Sequence, residues 1–282
     1  MLPATKALPK EMLPVAGKPL IQYAVEEAAA SGIETVVLVI RNYKSLIQAH
    51  FARDLGLESF LGDRQLTDAA QLVRRLTEIV DLRYVEQENA LGLAHAISCA
   101  RPLIEQEPFA VLLPDVIMVN DEPVTSQLIH AYQQHGGSVI AIRKIQHSEV
   151  ERFGVIRVGY SSTFPTGESV RVNGLVEKPS AENAPSFLGV FGRYVLEPSI
   201  WEAIAQTEAD GRGEVQLTDG LNLLCQKRPL FGLCFQGQHY DAGDRVGYLT
   251  ANIELSLRDP RVRQPLLSHL SRMQARLADR NV

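Results

Sequence analysis

The stretch "MLPATKALPKEMLPVAGKPLIQYAVEEAAASGIETVVLVI" (residues 1–40) decides the fold class. Lys6 and Lys10 stand in a loop punctuated by Pro3, Pro9 and Pro14, directly ahead of an amphipathic segment. Cations held in a stiff loop before a helix suit contact with a phosphate. Pro19 at the first helical position and Gly32 just past the end predict a helix over 19–31. "ETVVLVI" (34–40) is then a short β-branched run of the kind buried on both faces of a parallel sheet.

The same rhythm continues outward. Helical periodicity covers 43–52 and 66–79, "DLRYVEQ" (81–87) reads as a strand, and "LGLAHAISCARPLI" (91–104) as a helix. "FAVLLPD" (109–115) is a strand, 124–135 a helix, and "SVIAIRKI" (138–145) a strand. Such βαβ alternation predicts a doubly wound α/β fold with a mostly parallel sheet and ligands at the carboxyl ends of its strands. After about residue 150 the pattern becomes β-rich. "FGVIRVGY" (153–160) and "SVRVNGLVEKP" (169–179) are strands joined by a Ser/Thr/Pro/Gly-rich turn at 161–167. "FLGVFGRYVLEP" (187–198) is another strand, with helices near 198–206 and 216–227, and "PLFGLCFQGQHYDAG" (229–243) holds one more strand. Three regions result: a nucleotide-type half (1–150), a β-rich extension folded onto it (151–246), and C-terminal helices (247–282). Leu249, Ile253, Leu257, Leu266, Leu267 and Leu270 of the last region pack either on the core or across a subunit interface.

Composition narrows the function classes. The 282 residues are 45% hydrophobic and 22% charged, with a formal net charge of −5, which argues against nucleic acid, whose proteins need a basic face. No apolar run approaches about 18 residues, so no membrane helix is expected, and no signal-peptide core is visible. Cys99, Cys225 and Cys234 are odd in number and not in CxxC spacing, which suits free thiols in a reducing cytoplasm.

Several residues are placed to carry chemistry. Asp115 ends the apolar run "LLPD", and Asp241 ends "HYD" before Gly243. A carboxylate at a strand end is hydrated, paired or metal-bound. Two that converge would make a Mg²⁺ site completed by water and phosphate oxygens; a turn or a helix cap is the alternative. "VEKP" sets Glu177 beside Lys178, fit for a hydroxyl and a phosphate or for a solvated edge pair. Strand alternation sends the two side chains to opposite faces unless the Pro-bounded end twists them. Gln87 can pair with an amide-like base edge, and Gly92 lets a planar ligand approach the backbone. His95, on the following helix, reads as a packing residue, with a catalytic role as the alternative. "GRGEVQLTD" (211–219) is an anion site at a helix start or ordinary capping, and "GVFGR" (189–193), inside a strand pattern, is not a phosphate loop.

Taken together, "LPATKALPKEMLPVAGKPLIQYAVEEA", "LGLAHAI", "LPDV", "FGVI", "VEKP", "APS", "GRYVL", "EVQLTD" and "YDAGDRVGY" occur in the order found in bacterial UTP–glucose-1-phosphate uridylyltransferases. The resemblance runs from residue 2 to about 258, and "LPATKALPKEMLP" distinguishes it from the thymidylyltransferase version "SKQLLPxYDKPM". It implies Mg²⁺ held by Asp115 and Asp241, Lys10 on the UTP triphosphate, and Lys178 on the phosphate of glucose 1-phosphate. It further implies Glu177 on the glucose hydroxyls, aided by backbone around Gly154 and Val190, with Gln87 and Gly92 on uracil. A cytoplasmic homo-oligomer, dimer or tetramer, is the expected assembly.

Family members carry a strand and an "AGxGTR" loop ahead of "xLPATKA", whereas this sequence opens after it. A central strand with three or four large apolar side chains contributes on the order of 5–10 kcal/mol, against a net domain stability of about 5–15 kcal/mol. The expectation is therefore a late start or a fragment of an ordinary enzyme. Such a chain would have little activity and a groove beside "ETVVLVI" and "FAVLLPD", and an upstream segment would restore turnover. A non-catalytic paralogue that binds a nucleotide sugar or an active homologue is the alternative. Phe187 for the usual Asn in "APSN", Leu91 for a common Lys, and Gly17 for an acidic residue or Asn are smaller departures that bear on the sugar pocket and affinity.

Overall fold

A computed structural model describes residues 1–41, 44–104, 106–159 and 164–278. Residues 43 and 160–163, which fall in an expected helix, strand and turn, lie outside the described residues, as do 279–282 of the C-terminal region.

In chain order, β1 (Pro14–Val15) and β2 (Lys18–Pro19) form a hairpin. Its two turn residues, Ala16 and Gly17, both have positive φ (46° and 87°), the turn geometry whose twist matches paired strands. Next come α1 (Leu20–Ala30), β3 (Thr35–Ile40), α2 (Lys44–Phe51), α3 (Leu55–Asp63) and α4 (Thr67–Thr77). They are followed by β4 (Asp81–Glu86), α5 (Leu93–Ile104), β5 (Phe109–Leu112), β6 (Val116–Val119), α6 (Val124–His135) and β7 (Ser138–Lys144). The β-rich part holds β8 (Gly154–Arg157), β9 (Ser169–Arg171), β10 (Gly174–Glu177) and β11 (Leu188–Leu196). After α7 (Ile200–Ala205) and α8 (Leu217–Lys227) come β12 (Leu230–Cys234), β13 (Gln238–Asp241), α9 (Arg245–Ser256) and α10 (Pro260–Ala278).

The chain divides into two compact units. One comprises Met1–Tyr23, Pro114–Ile117 and His239–Val282; the other comprises Ala24–Leu113 and Met118–Gln238. In the first unit, α9 grips the N-terminal hairpin. Tyr248 donates its hydroxyl to the Pro14 carbonyl at 2.7 Å, and Asn252, one turn on, accepts from the Ala16 N–H at 3.2 Å. Val246, Leu249 and Ile253 on α9, and Val262, Leu267, Met273 and Leu277 on α10, are exposed.

In the second unit the main sheet has the order β10-β8-β11-β7-β12-β9, with β5 also on β11. The fold class is α/β as expected, but the sheet differs in detail. In this sheet only β7–β12 is parallel and the other ladders are antiparallel, while β3–β4 forms a separate parallel pair. The cause is the β-rich extension, whose strands return without helical crossovers. The run 169–179 is not one strand. It breaks at Val172–Asn173 into β9 and β10, which sit at opposite ends of the strand order. Because so short a chain segment spans no more than about 3.3–3.6 Å per residue, the sheet must curl until its two ends meet. Similarly, 229–243 yields two strands, β12 and β13, and β6, which pairs with β13, was not anticipated.

β3 pairs with β4 on one side and β5 with β11 on one side, and neither has a second ladder partner among the described residues. Consistently, β3 buries only Leu38 and Ile40, where burial on both faces was expected, and β5 is half-buried throughout.

The centre of this unit is β11, buried along its whole length. Its ladder with β7 shifts register between Val190 and Tyr194, and that bulge turns Arg193 into the interior, where it is 1% exposed. Arg193 Nε donates to both Glu27 oxygens at 3.1 Å, Nη2 donates to Oε2 at 2.7 Å, and Nη1 donates to the Leu113 carbonyl at 2.9 Å. Glu27 Oε1 also accepts from the Thr125 N–H at 3.1 Å and its hydroxyl at 2.7 Å. One ion pair thus joins α1, α6, the end of β5 and β11. Removing one partner of such a buried pair strands the other charge, which costs about 3–5 kcal/mol. Arg193→Met and Glu27→Gln should each lower unfolding free energy by about that amount, and the Glu27→Met/Arg193→Met double variant by less than the sum of its single variants. Denaturant unfolding of the variants checks this.

Candidate active site

In the first unit, Pro9 adopts an extended conformation and Lys10–Met12 a single 3₁₀ turn, so the loop is short and braced. Lys10 Nζ lies 2.7 Å from Asp115 Oδ2, with about a third of each side chain exposed (32% and 30%). Asp115 sits in the turn between β5 and β6, and its carbonyl accepts from the Ala242 N–H at 2.8 Å. That bond brings the end of β13 beside it. Asp241 Oδ1 accepts from the Gly243 N–H at 2.8 Å. A Cβ placed on Gly243 would stand 2.8 Å from Asp241 Oδ1 and 3.4 Å from Asp115 Oδ2, so both carboxylates border one glycine. Gly247 completes the arrangement through space, since a side chain there would run into the Asp241 carbonyl. Asp244 caps α9 by accepting from the Gly247 N–H at 2.8 Å.

This oxygen-only donor set fits Mg²⁺, which takes one or two carboxylates and fills its other positions with water and phosphate. No larger His/Cys/Asp/Glu cluster gathers among the described residues.

In the second unit, Glu177 ends β10 opposite Gly154 of β8. Glu177 Oε2 accepts from the Thr218 hydroxyl at 2.6 Å, and a Cβ on Gly154 would come within 3.2 Å of both partners. Thr218 carries no sequence signal beyond its place in "QLTD", and it went unread there. Asp219, next to it, has its carboxyl pushed up by partial loss of water and then by the Glu177 and Asp210 carboxylates. Lys178 has φ +42°, although the residue before a proline ordinarily takes an extended conformation. This left-handed residue breaks the alternation of β10 and brings Lys178 Nζ to 3.5 Å from Glu177 Oε1. Both side chains therefore turn to one side, the exception that the Pro179 boundary allows. Val190 is a core residue paired with Ile142, so only its backbone can meet a ligand.

Gln87 and Gly92 also meet, but for a reason the sequence did not reveal. Gly92 has φ +92°, and a Cβ there would lie 2.6 Å from the Val215 carbonyl oxygen. The close approach is made by the protein's own 207–216 loop. Val215 donates to the Leu91 carbonyl at 2.7 Å and accepts from the Ala94 N–H at 3.1 Å. Asp210 braces that loop, its carboxyl held below the ordinary range by the N–H of Glu214, the Gln216 amide and the N–H of Arg212. The start of "GRGEVQLTD" is thus a strap closed on α5 and braced by Asp210, and the N-cap of α8, Gln216, makes no side-chain capping bond.

Strain at Lys178 gives a test. A non-glycine residue in the left-handed region costs about 1–2 kcal/mol, partly offset by the entropy glycine loses on folding, about 0.5–1 kcal/mol. Lys178→Gly should therefore be more stable than Lys178→Ala by up to about 1 kcal/mol. Thermal melts of the pair decide, and an alanine variant at or above the glycine one contradicts the strain.

An α/β protein in which two carboxylates border one glycine and a lysine pairs with one of them is what fold and side chains define. The sequence profile of the nucleotidyl transferase family matches residues 1–256. Over 269 residues the chain is 41% identical to the UTP–glucose-1-phosphate uridylyltransferase YngB of Bacillus subtilis strain 168, covering 95% of this chain and 89% of that protein. It is 40% identical over 273 residues to UTP–glucose-1-phosphate uridylyltransferase 2 of Staphylococcus saprophyticus, covering 97% and 93%. Among solved structures, the UTP-bound UGPase from Acinetobacter baumannii superposes with a TM-score of 0.88 at 34% identity, over 95% of this chain and 93% of that one. A UDP-glucose pyrophosphorylase complexed with UDP-glucose gives 0.82 at 35%, over 90% and 93%. The chain belongs to the nucleotidyl transferase family, among its UTP–glucose-1-phosphate uridylyltransferases.

Proposed function

We propose that this protein joins UTP and glucose 1-phosphate to give UDP-glucose and pyrophosphate. The observation that carries the reading is the strained "EKP" end of β10, where a left-handed Lys178 shares one side with a Glu177 fixed by Thr218. Strain of this kind is retained where a side chain must point one way. The sugar phosphate oxygen attacks the α-phosphorus of UTP in line, an oxygen–phosphorus bond forms, and the bond to pyrophosphate breaks. Such a transfer needs positioning and charge neutralisation more than covalent help.

Lys178 binds the phosphate of glucose 1-phosphate, and Glu177 accepts from glucose hydroxyls beside the Gly154 and Val190 backbone. Lys10 exchanges the Asp115 carboxylate for a triphosphate oxygen when UTP binds; an ion pair so exposed is worth at most about 1 kcal/mol. Gln87 and the Gly92 region receive uracil. Asp115 and Asp241 would hold Mg²⁺, which supplies charge neutralisation at the phosphates. The exposed apolar residues of α9 and α10 support a homo-oligomer. No described helix is long and apolar enough to cross a membrane.

Pyrophosphate release from UTP plus glucose 1-phosphate tests the reading, by the chain or by a form extended upstream of Met1. Lys178→Ala should raise KM for glucose 1-phosphate and lower kcat/KM by about 10–100-fold, the equivalent of a charge-assisted hydrogen bond at about 1.5–3 kcal/mol. The KM for UTP should stay within about threefold. Unchanged kinetics in this variant contradict the assignment.

A further inference from the structure

The Gln87 side chain carries a constraint beyond its place in a nucleotide site. Its Nε2 lies 3.1 Å from the Gly92 carbonyl oxygen and 3.0 Å from His95 Nδ1. A carbonyl can only accept, so the atom facing it is the amide NH₂ and not the amide oxygen. The second hydrogen of that NH₂ then points at His95, whose Nδ1 must be the unprotonated ring nitrogen, with the ring proton on Nε2. Cys99, one turn along α5, places its Sγ 3.9 Å from the same Nδ1. Burial pushes the Cys99 thiol up, so it stays a weak S–H donor and presents no thiolate to the ring. Both N–H groups of the Gln87 amide are therefore engaged by the protein. Among the described residues nothing donates to Oε1.

We propose that His95 is a positioning residue that locks the Gln87 amide with Oε1 outward, so that the site reads an imide N–H on the base and rejects a base with an acceptor there. The inference rests on the reading of Gln87 as a nucleobase contact. Uracil carries a hydrogen on N3 between two carbonyls, whereas cytosine has a bare lone pair at N3. An outward Oε1 opposite N3 accepts from the first and repels the second. Without His95, the Gly92 carbonyl alone holds the amide. The side chain then swings or flips to present its NH₂, and the discrimination weakens. The geometry gives His95 a use that its helical position, suited to packing, did not suggest.

The test compares His95→Ala and His95→Asn with the wild type. Asparagine can set an acceptor oxygen where Nδ1 stood, while alanine cannot. Binding of UTP and of CTP is measured by calorimetry on the full chain, beside thermal melts that establish folding. The expected result is a UTP-over-CTP preference that falls about tenfold in His95→Ala, as for loss of one oriented hydrogen bond. In His95→Asn it should stay within about threefold of wild type. CTP binding should strengthen in the alanine variant, a change that mere loosening of α5 would not produce. Equal weakening of both nucleotides, or an unchanged ratio in His95→Ala, overturns the proposal while leaving turnover of UTP with glucose 1-phosphate as separate evidence for the enzyme. A wild type that binds UTP and CTP equally overturns it too, and one that binds neither overturns the base-site reading with it.

Discussion

The buried Arg193–Glu27 pair is the constraint around which the larger unit is arranged. Its guanidinium is held from three directions: by the Glu27 carboxylate on α1, by the Leu113 carbonyl at the end of β5, and by the bulged backbone of β11 itself. Thr125 completes the Glu27 shell at the start of α6. A charge taken out of water this completely is tolerated only when every lone pair and proton finds a partner. The arrangement accordingly fixes register and element order more than it adds net stability. β11 can neither slide nor flatten its bulge without stranding the charge.

The candidate site residues are set by local departures from ideal geometry. Lys178 sits in a backbone conformation that few residues other than glycine adopt, directly before a proline. The gain is direction: a regular strand would have sent Glu177 and Lys178 apart. Gly154, Gly243 and Gly247 work differently, by leaving space where a methyl group would strike Glu177, Asp241 or their partners. Gly92 gives way to the chain's own Val215, so that the 207–216 strap can close on α5.

Much of this was legible in the sequence, and the remainder was hidden for identifiable reasons. Periodicity and caps located α1, α5, α6 and β7 within a residue or two, because each is a long apolar run with clear boundaries. The "LLPD" and "HYD" strand ends singled out Asp115 and Asp241 one at a time, and only the family resemblance set them side by side, since 126 residues of separation leave no local trace of the pairing. Ladder direction was not readable, because short β-rich runs carry no record of which edge they join; β9 and β10 read as one strand and sit at opposite ends of the sheet order. Glu27 carries no sequence signal of its own, and Arg193 entered only within "GVFGR", a strand stretch that is not a phosphate loop. Their pairing spans 166 residues and leaves no local trace. Thr218 and His95 act only through the side chains they orient, which spacing cannot show.

The claim on which the account rests most heavily is that Asp115 and Asp241 act as one metal site. Mn²⁺ binding in the presence of UTP, followed by electron paramagnetic resonance, addresses it without depending on turnover, since Mn²⁺ favours the same oxygen ligands. The account predicts one tight Mn²⁺ site per chain that needs the nucleotide. Asp115→Asn and Asp241→Asn should each weaken it at least about tenfold, the scale of one charged ligand contact. Mn²⁺ binding of wild-type strength in both variants would contradict it.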